Sequence, residues 1–249
     1  MNLKSYDKIV EYDSLLLDLP YREGTGVKTF DHAKPHHPLT MEDPGGGSFV
    51  WTTLPSGLMV LEFVTIGGGG TDGVYLKGLA ANTVDFNFTA GDFSIGCWVN
   101  WDSTGGWSEM MMARYIIDQC GWELYFDVSG GLNTLSQRHS HLSLAPNLNS
   151  NCYSTGWTPG TWAFVGVSRV GGNLYPQHYR NGNALAMFYE ASGMLDPDTC
   201  VQTFQIGCRY TLNANWYKGL MWRPRIWNRA LSQNEWKNIF ERERDWFGV

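Results

Sequence analysis

Alternating apolar and polar positions are the main pattern in this chain. In "DFSIGCWVNW", Phe93, Ile95, Cys97, Val99 and Trp101 recur at every second residue, which puts them on one face of a half-buried strand. "GWELYFDV" and "TWAFVGVSRV" are apolar on both faces, as expected of central strands in a two-layer structure. "NLYPQHYRNGNALAMF" predicts a hairpin turning at Asn181-Gly182, residues that tolerate positive φ. Pro176 in its first arm has no N–H for the ladder, so that arm is expected at an edge or a bulge. The glycine-rich stretches "EDPGGGS", "TIGGGGTDG", "STGGW" and "VSGGLN" lie between strands. Strands with turn signals between them predict a sandwich or barrel and not βαβ units.

One helix is predicted, near the C-terminal end. Ser232 and Glu235 form an S-x-x-E capping box, with Leu231 and Trp236 placed as a hydrophobic staple. Trp236, Ile239 and Phe240 then recur on one face, opposite Lys237, Glu241 and Arg242. The expected helix covers about 232–244, and the closing "DWFGV" is expected to fold its aromatics back onto the sandwich. Residues 1–11 read as an arm ahead of a single domain over 12–249.

Several segments resemble the laminin G-like, concanavalin A-like jelly-roll family, in the form common in bacterial and phage proteins. "LLLDLPYREGTGVKTFDHA" is similar to its opening strand and turn, and "LEFVTIGGGGTDGVYL" to its F-x-G-x-x-D-Y-V region with an insertion. "TAGDFSIGCWVNWDS" and "WTPGTWAFVGVSRVGGNLYPQHYRNGNAL" resemble its central strands and hairpin. "FQIGCRYTLNANWYKGLMWRPRIWNRALSQNEW" resembles its final strand and helix, with Asn228-Arg229-Ala230-Leu231-Ser232 the most specific match. The resemblance spans roughly residues 12–240 and implies an all-β, two-sheet antiparallel β-sandwich with one short C-terminal helix. It does not by itself choose among sugar-binding modules, adhesion domains and virion surface proteins.

Composition narrows the functional classes. A hydrophobic content of 43% with 14% aromatic residues supports one large core and excludes a disordered chain. The formal charge of -6, with no basic stripe, argues against nucleic acid as a partner. No apolar run reaches the roughly 18 residues needed for membrane insertion. The opening "MNLKSYDKIVEYDSLLLDLP" lacks a signal-peptide h-region, so folding in a cytosol is expected. Cys97, Cys120, Cys152, Cys200 and Cys208 are odd in number and hold no C-x-x-C pair, so reduced, mostly buried thiols are expected.

Candidate chemistry is sparse. Related sandwiches include glycanases with paired strand carboxylates, but "ELYFD" offers only Glu123 and Asp127, four residues apart, so no catalytic residue is assigned. The family often binds calcium near its rim, yet "GLMWRPRI" carries no acid where its last strand commonly does. Asp31, Asp72 and Asp85 remain as calcium candidates, calcium being the one cofactor considered. His32, His36 and His37 in "HAKPHH", and His139 and His141 on one strand face, lack the further ligands zinc needs and read as exposed or hydrogen-bonded histidines. Trp51, Trp107, Trp157, Trp216 and Tyr217 are placed on loops or near turns, and Trp222, Arg223 and Arg225 on the last strand. Residues of these types stack on sugar rings or anchor protein interfaces.

The leading expectation is a non-enzymatic, lectin-like structural protein of a bacteriophage particle, in capsid decoration or tail. It would dock on other virion proteins or on copies of itself, and bind cell-surface polysaccharide. The alternative is a free-standing carbohydrate-binding module. A glycoside hydrolase ranks third.

Overall fold

The computed structural model describes residues 13–66, 73–102, 108–127, 133–146, 148–172, 175–189, 193–212 and 215–249. In chain order these hold β1 (Leu15–Asp18), β2 (Lys28–Phe30), β3 (Pro38–Glu42), β4 (Ser48–Thr53), β5 (Met59–Val64), β6 (Tyr75–Gly78), β7 (Phe93–Trp101), β8 (Ser108–Ile116) and β9 (Cys120–Asp127). There follow β10 (Thr134–His141), β11 (Asn149–Ser154), β12 (Ala163–Arg169), β13 (Gln177–Arg180), β14 (Asn183–Ala184), β15 (Phe188–Tyr189), β16 (Phe204–Ile206), β17 (Gly219–Trp227) and α1 (Gln233–Glu243). One antiparallel sheet runs β14-β13-β12-β7-β17-β5-β4, with β1 also paired to β17. The other runs β15-β11-β10-β9-β8-β16-β6-β3-β2. The expected two-sheet antiparallel sandwich is the fold observed.

The alternation in β7 produces the core. Phe93, Ile95, Cys97, Val99 and Trp101 all point between the sheets and are buried. Phe93 stacks on Phe88 with centroids 4.8 Å apart, and Trp101 stacks on Phe126 of β9 at 3.9 Å. The opposite face of β7 is buried too, because α1 lies across it. Gly96 of β7 pairs with Gly166 of β12, which leaves a trough without side chains. The Trp236 ring fills it so closely that a Cβ on Gly96 would come within 2.6 Å and one on Gly166 within 2.9 Å. Replacing a buried indole of this kind by Ala typically costs about 3–5 kcal/mol. The half-buried strand expected from the alternation is therefore buried on both sides, and the second layer comes from the chain's last helix.

The junction before α1 forms as its sequence predicts. Ser232 Oγ accepts from the Glu235 N–H while the Glu235 carboxylate accepts from the Ser232 N–H at 2.8 Å. Leu231 and Trp236 are both buried. At the predicted hairpin, Asn181 and Gly182 take φ of 52° and 76°, the left-handed pair this turn needs. The cysteine expectation is corrected: Cys120 and Cys200 are joined as a disulfide, their Cα atoms 5.1 Å apart, while Cys97, Cys152 and Cys208 are free and buried. Eighty positions separate the pair in sequence, so the spacing held no sign of it.

Candidate functional site

The last strand departs from regular pairing at the segment "MWRPR". Trp222 pairs with Trp98 of β7 and Arg225 with Gly96, so three steps along β17 match two along β7. This extra residue is a β-bulge, placed where Pro224 could not have donated to the ladder. Arg223 takes a φ of 53° within it. The bulge turns both Arg223 and Arg225 toward α1. Arg225 grips Glu243 through two bonds of 2.9 and 2.8 Å. Arg223 reaches Glu243 at 2.9 Å and holds Asp18 of β1 at 2.8 and 3.1 Å. Trp98 Nε1 donates to the same Glu243 carboxylate at 2.8 Å. Buried charges persist only when paired in this way.

Beside this network lies a cleft of about 580 Å³, walled by Tyr21, Arg22, Met59, Trp222, Arg242 and Trp246 among others. Three observations mark it. Tyr21, like Arg223, is a non-glycine residue with a left-handed φ of 53°, a strained backbone that tends to collect at ligand sites. Tyr21 Oη and Trp222 Nε1 are buried and meet no hydrogen-bond partner, although buried polar groups normally do. Burial, then Cys97 and Glu23, push the Tyr21 phenol well above its ordinary value, so it keeps its proton and can donate. Trp246, by contrast, is 47% exposed. Its neighbour Phe247 packs 4.0 Å from Trp98 and 5.6 Å from Trp222, so half of the expected aromatic tuck occurs and the other indole faces water.

Most of the loop aromatics singled out in the sequence are not at this cleft. Trp157 is buried, with its Nε1 donating to Ser154 Oγ at 3.0 Å. Trp216 is buried against Tyr75 and above Gly73, where a Cβ would come within 2.2 Å of its ring. Tyr217 is buried on Phe63, its hydroxyl donating to Leu220 O at 2.8 Å. These three, expected at a rim, are corrected to core residues. Trp51 is half-buried, edge-on to Tyr21 at 6.3 Å, and donates to Gly26 O at 3.1 Å. Trp222, Arg223 and Arg225 do converge, as wall and framework of the cleft. Trp107 and Asp72 lie outside the described residues, as does the 1–11 arm. Tyr21, Arg22 and Trp246 were missed. Their only sequence signals were the "DWFGV" tail and the "LPYR" segment just after β1.

Two of the calcium candidates, Asp31 and Asp85, are engaged by hydrogen bonds. Asp31 accepts from the N–H groups of Asp18, Ala33 and His37, each at 2.8 Å, and from His37 Nδ1 at 3.1 Å. His37 Nε2 meets Asp85 at 2.9 Å. An imidazole thus stands between the two carboxylates. Among the described residues no three His, Cys, Asp or Glu side chains converge on a metal position. His139 and His141 are buried in the interior; His139 Nδ1 donates to Leu195 O at 2.9 Å, and burial lowers its pKa to about 3.

The hydrolase candidates fit no glycosidase geometry. Glu123 is buried, gripped by Arg209 at 2.8 and 2.9 Å and by Arg138 at 3.1 Å. Burial raises its pKa, with the two guanidinium groups opposing the rise. Asp127 is four strand positions away, about 13 Å at strand rise. A retaining pair sits roughly 5–5.5 Å apart and an inverting pair roughly 6.5–9.5 Å.

A laminin G family model, described as the concanavalin A-like lectin/glucanases superfamily, matches residues 68–235. Among solved structures, the fold is similar to that of botulinum neurotoxin type C, which depends on interaction with two ganglioside molecules to get into cells. That similarity has a TM-score of 0.63 at 13% identity over 94% of this chain and 52% of the toxin chain. The binding domain of botulinum neurotoxin DC, seen in complex with SialylT, gives 0.64 at 13% over 93% and 52%. The same domain in complex with rat synaptotagmin II gives 0.63 at 14% over 93% and 52%. At these identities the likeness is one of fold, and the chain spans about half the length of the toxin chains. No curated protein matches the sequence. No helix among the described residues is long and apolar enough to cross a membrane.

Proposed function

Because this chain belongs to the concanavalin A-like lectin/glucanases superfamily, we propose that it is a non-catalytic, lectin-like module that binds a saccharide in the cleft beside β17. The observation that carries this reading is the open indole of Trp246 bordering a cleft whose mouth holds the exposed Arg22 and Arg242. Tyr21 Oη and Trp222 Nε1 are buried behind the wall of that cleft and do not face it. A pyranose offers the complement, an apolar ring face for the indole and hydroxyl oxygens for the guanidinium donors. The spacing of Glu123 and Asp127 supports binding over hydrolysis. The finer expectation of a bacteriophage particle as carrier gains no support from the cleft, and the proposal is confined to the module.

A glycan array followed by titration of the best ligand tests it, with the wild type, Trp246→Ala and Tyr21→Phe. Trp246→Ala is expected to weaken binding by roughly tenfold or more, about 1.4 kcal/mol. Tyr21→Phe is the control, since it removes only a hydroxyl buried away from the cleft. Folded stability should hold or rise, because that hydroxyl's desolvation is uncompensated, while affinity stays at the wild-type value. Silence across the array, or binding untouched by Trp246→Ala, sinks the proposal.

A further inference from the structure

The charges around the cleft are unevenly placed. Asp18 and Glu243 are both occupied by Arg223 and Arg225, two carboxylates against two guanidiniums, so the inner network is neutral. At the mouth, Arg22 and Arg242 are exposed. Arg22 meets no hydrogen-bond or ion-pair partner among the described residues. Arg22 therefore brings a cation without a partner among the described residues to the mouth of the cleft, on a protein whose formal charge is -6. A guanidinium fork matches a carboxylate with two parallel bonds, which a neutral hydroxyl cannot provide.

Trp246 also borders a second hollow of about 420 Å³, walled by Leu54, Ser56, Trp162, Asp245 and Phe247 among others. Ser56 Oγ donates to Trp246 O at 2.6 Å and holds the ridge in place. Here the charge is reversed, since the exposed Asp245 can accept sugar hydroxyls but repels an anion. Trp162 is half-buried, its ring 4.6 Å from Phe247, and supplies a second apolar platform.

We infer that the ligand is an acidic oligosaccharide of at least two rings lying across Trp246. Its carboxylate-bearing ring sits in the Arg22–Arg242 hollow, and a neutral ring sits in the Trp162–Asp245 hollow. This rests on the saccharide-binding reading above and adds to it the class of sugar and the direction in which the sugar lies.

Matched pairs of oligosaccharides that differ only in the charge-bearing group test it by calorimetric titration. Suitable probes are sialyllactose against lactose, and a hyaluronan oligosaccharide against its carboxyl-reduced form. At low salt the acidic member should bind roughly tenfold tighter, about 1.4 kcal/mol, and the advantage should shrink as added salt screens the exposed Arg22. Arg22→Gln should bring the acidic member down to the affinity of the neutral one, whereas Lys34→Gln, away from the cleft, should leave the preference intact. Asp245→Asn should weaken the oligosaccharide but not the isolated acidic monosaccharide. Equal affinity within each pair, or a preference that survives Arg22→Gln, overturns the inference and leaves saccharide binding standing. Failure to bind any saccharide on the array overturns both.

Discussion

His37 holds two segments together. Its ring bridges Asp31 and Asp85 at 3.1 and 2.9 Å and lies 4.5 Å from Phe86. Burial lowers its pKa, but hydrogen bonds to Asp31 and Asp85, together with their charges, outweigh that and raise it from 6.5 to about 9. The folded pKa therefore lies above the unfolded one. The stabilisation is complete below about pH 6.5 and is lost as pH rises through about 9. Melting temperature measured from about pH 6 to 10 should fall across this window in the wild type and stay flat in His37→Gln. An equal slope in both would assign the loss to other groups. The sequence showed "HAKPHH" as a cluster but gave no means of seeing the bridge. Asp85 is 48 positions from His37, and only the fold joins them. Trp157 and Trp216 failed for a related reason. A glycine or proline nearby marks a loop, but whether an indole on that loop turns inward depends on the space under it, here the gap above Gly73.

At the scale of elements, the boundary between β17 and α1 was legible and the interior of β17 was only partly so. The capping box is local chemistry between residues three apart, so its spacing alone identifies it. A bulge was foreseeable from Pro224. Its effect was not, since one inserted residue exchanges the faces on which all later side chains lie. That exchange aims Arg223 and Arg225 at Glu243 and clamps the helix to the strand. Glu243→Ala should therefore cost about 3–5 kcal/mol, because it leaves two guanidiniums without their shared carboxylate. Ser232→Ala should cost only about 1 kcal/mol, the usual value of a cap. Urea denaturation of the two variants checks the ranking. Similar losses would mean that the buried network adds nothing beyond the cap.

Over the whole molecule, the sandwich was readable because a period of two is written into each strand separately. The features that tie distant strands together were not. The disulfide closes a loop with 80 positions between its ends, for which chain-entropy estimates give about 4 kcal/mol. Reduction by dithiothreitol should lower the unfolding free energy by about that amount, and a Cys120→Ser, Cys200→Ser double variant should match the reduced wild type. Thiol titration of the unfolded, unreduced protein should find the three free cysteines, Cys97, Cys152 and Cys208. A count of five would refute the pairing.

The arrangement of the indoles also has an optical consequence. The chain carries 12 Trp, and among the described residues Trp246 is the one classed as exposed. Emission from the buried rings is shielded from water-borne quenchers, so among the described indoles the fraction that iodide can reach comes chiefly from the ridge between the two hollows. The unlabelled protein thus carries its own reporter, and a molecule settling over that ridge would shift this accessible emission to the blue and protect it from quenching.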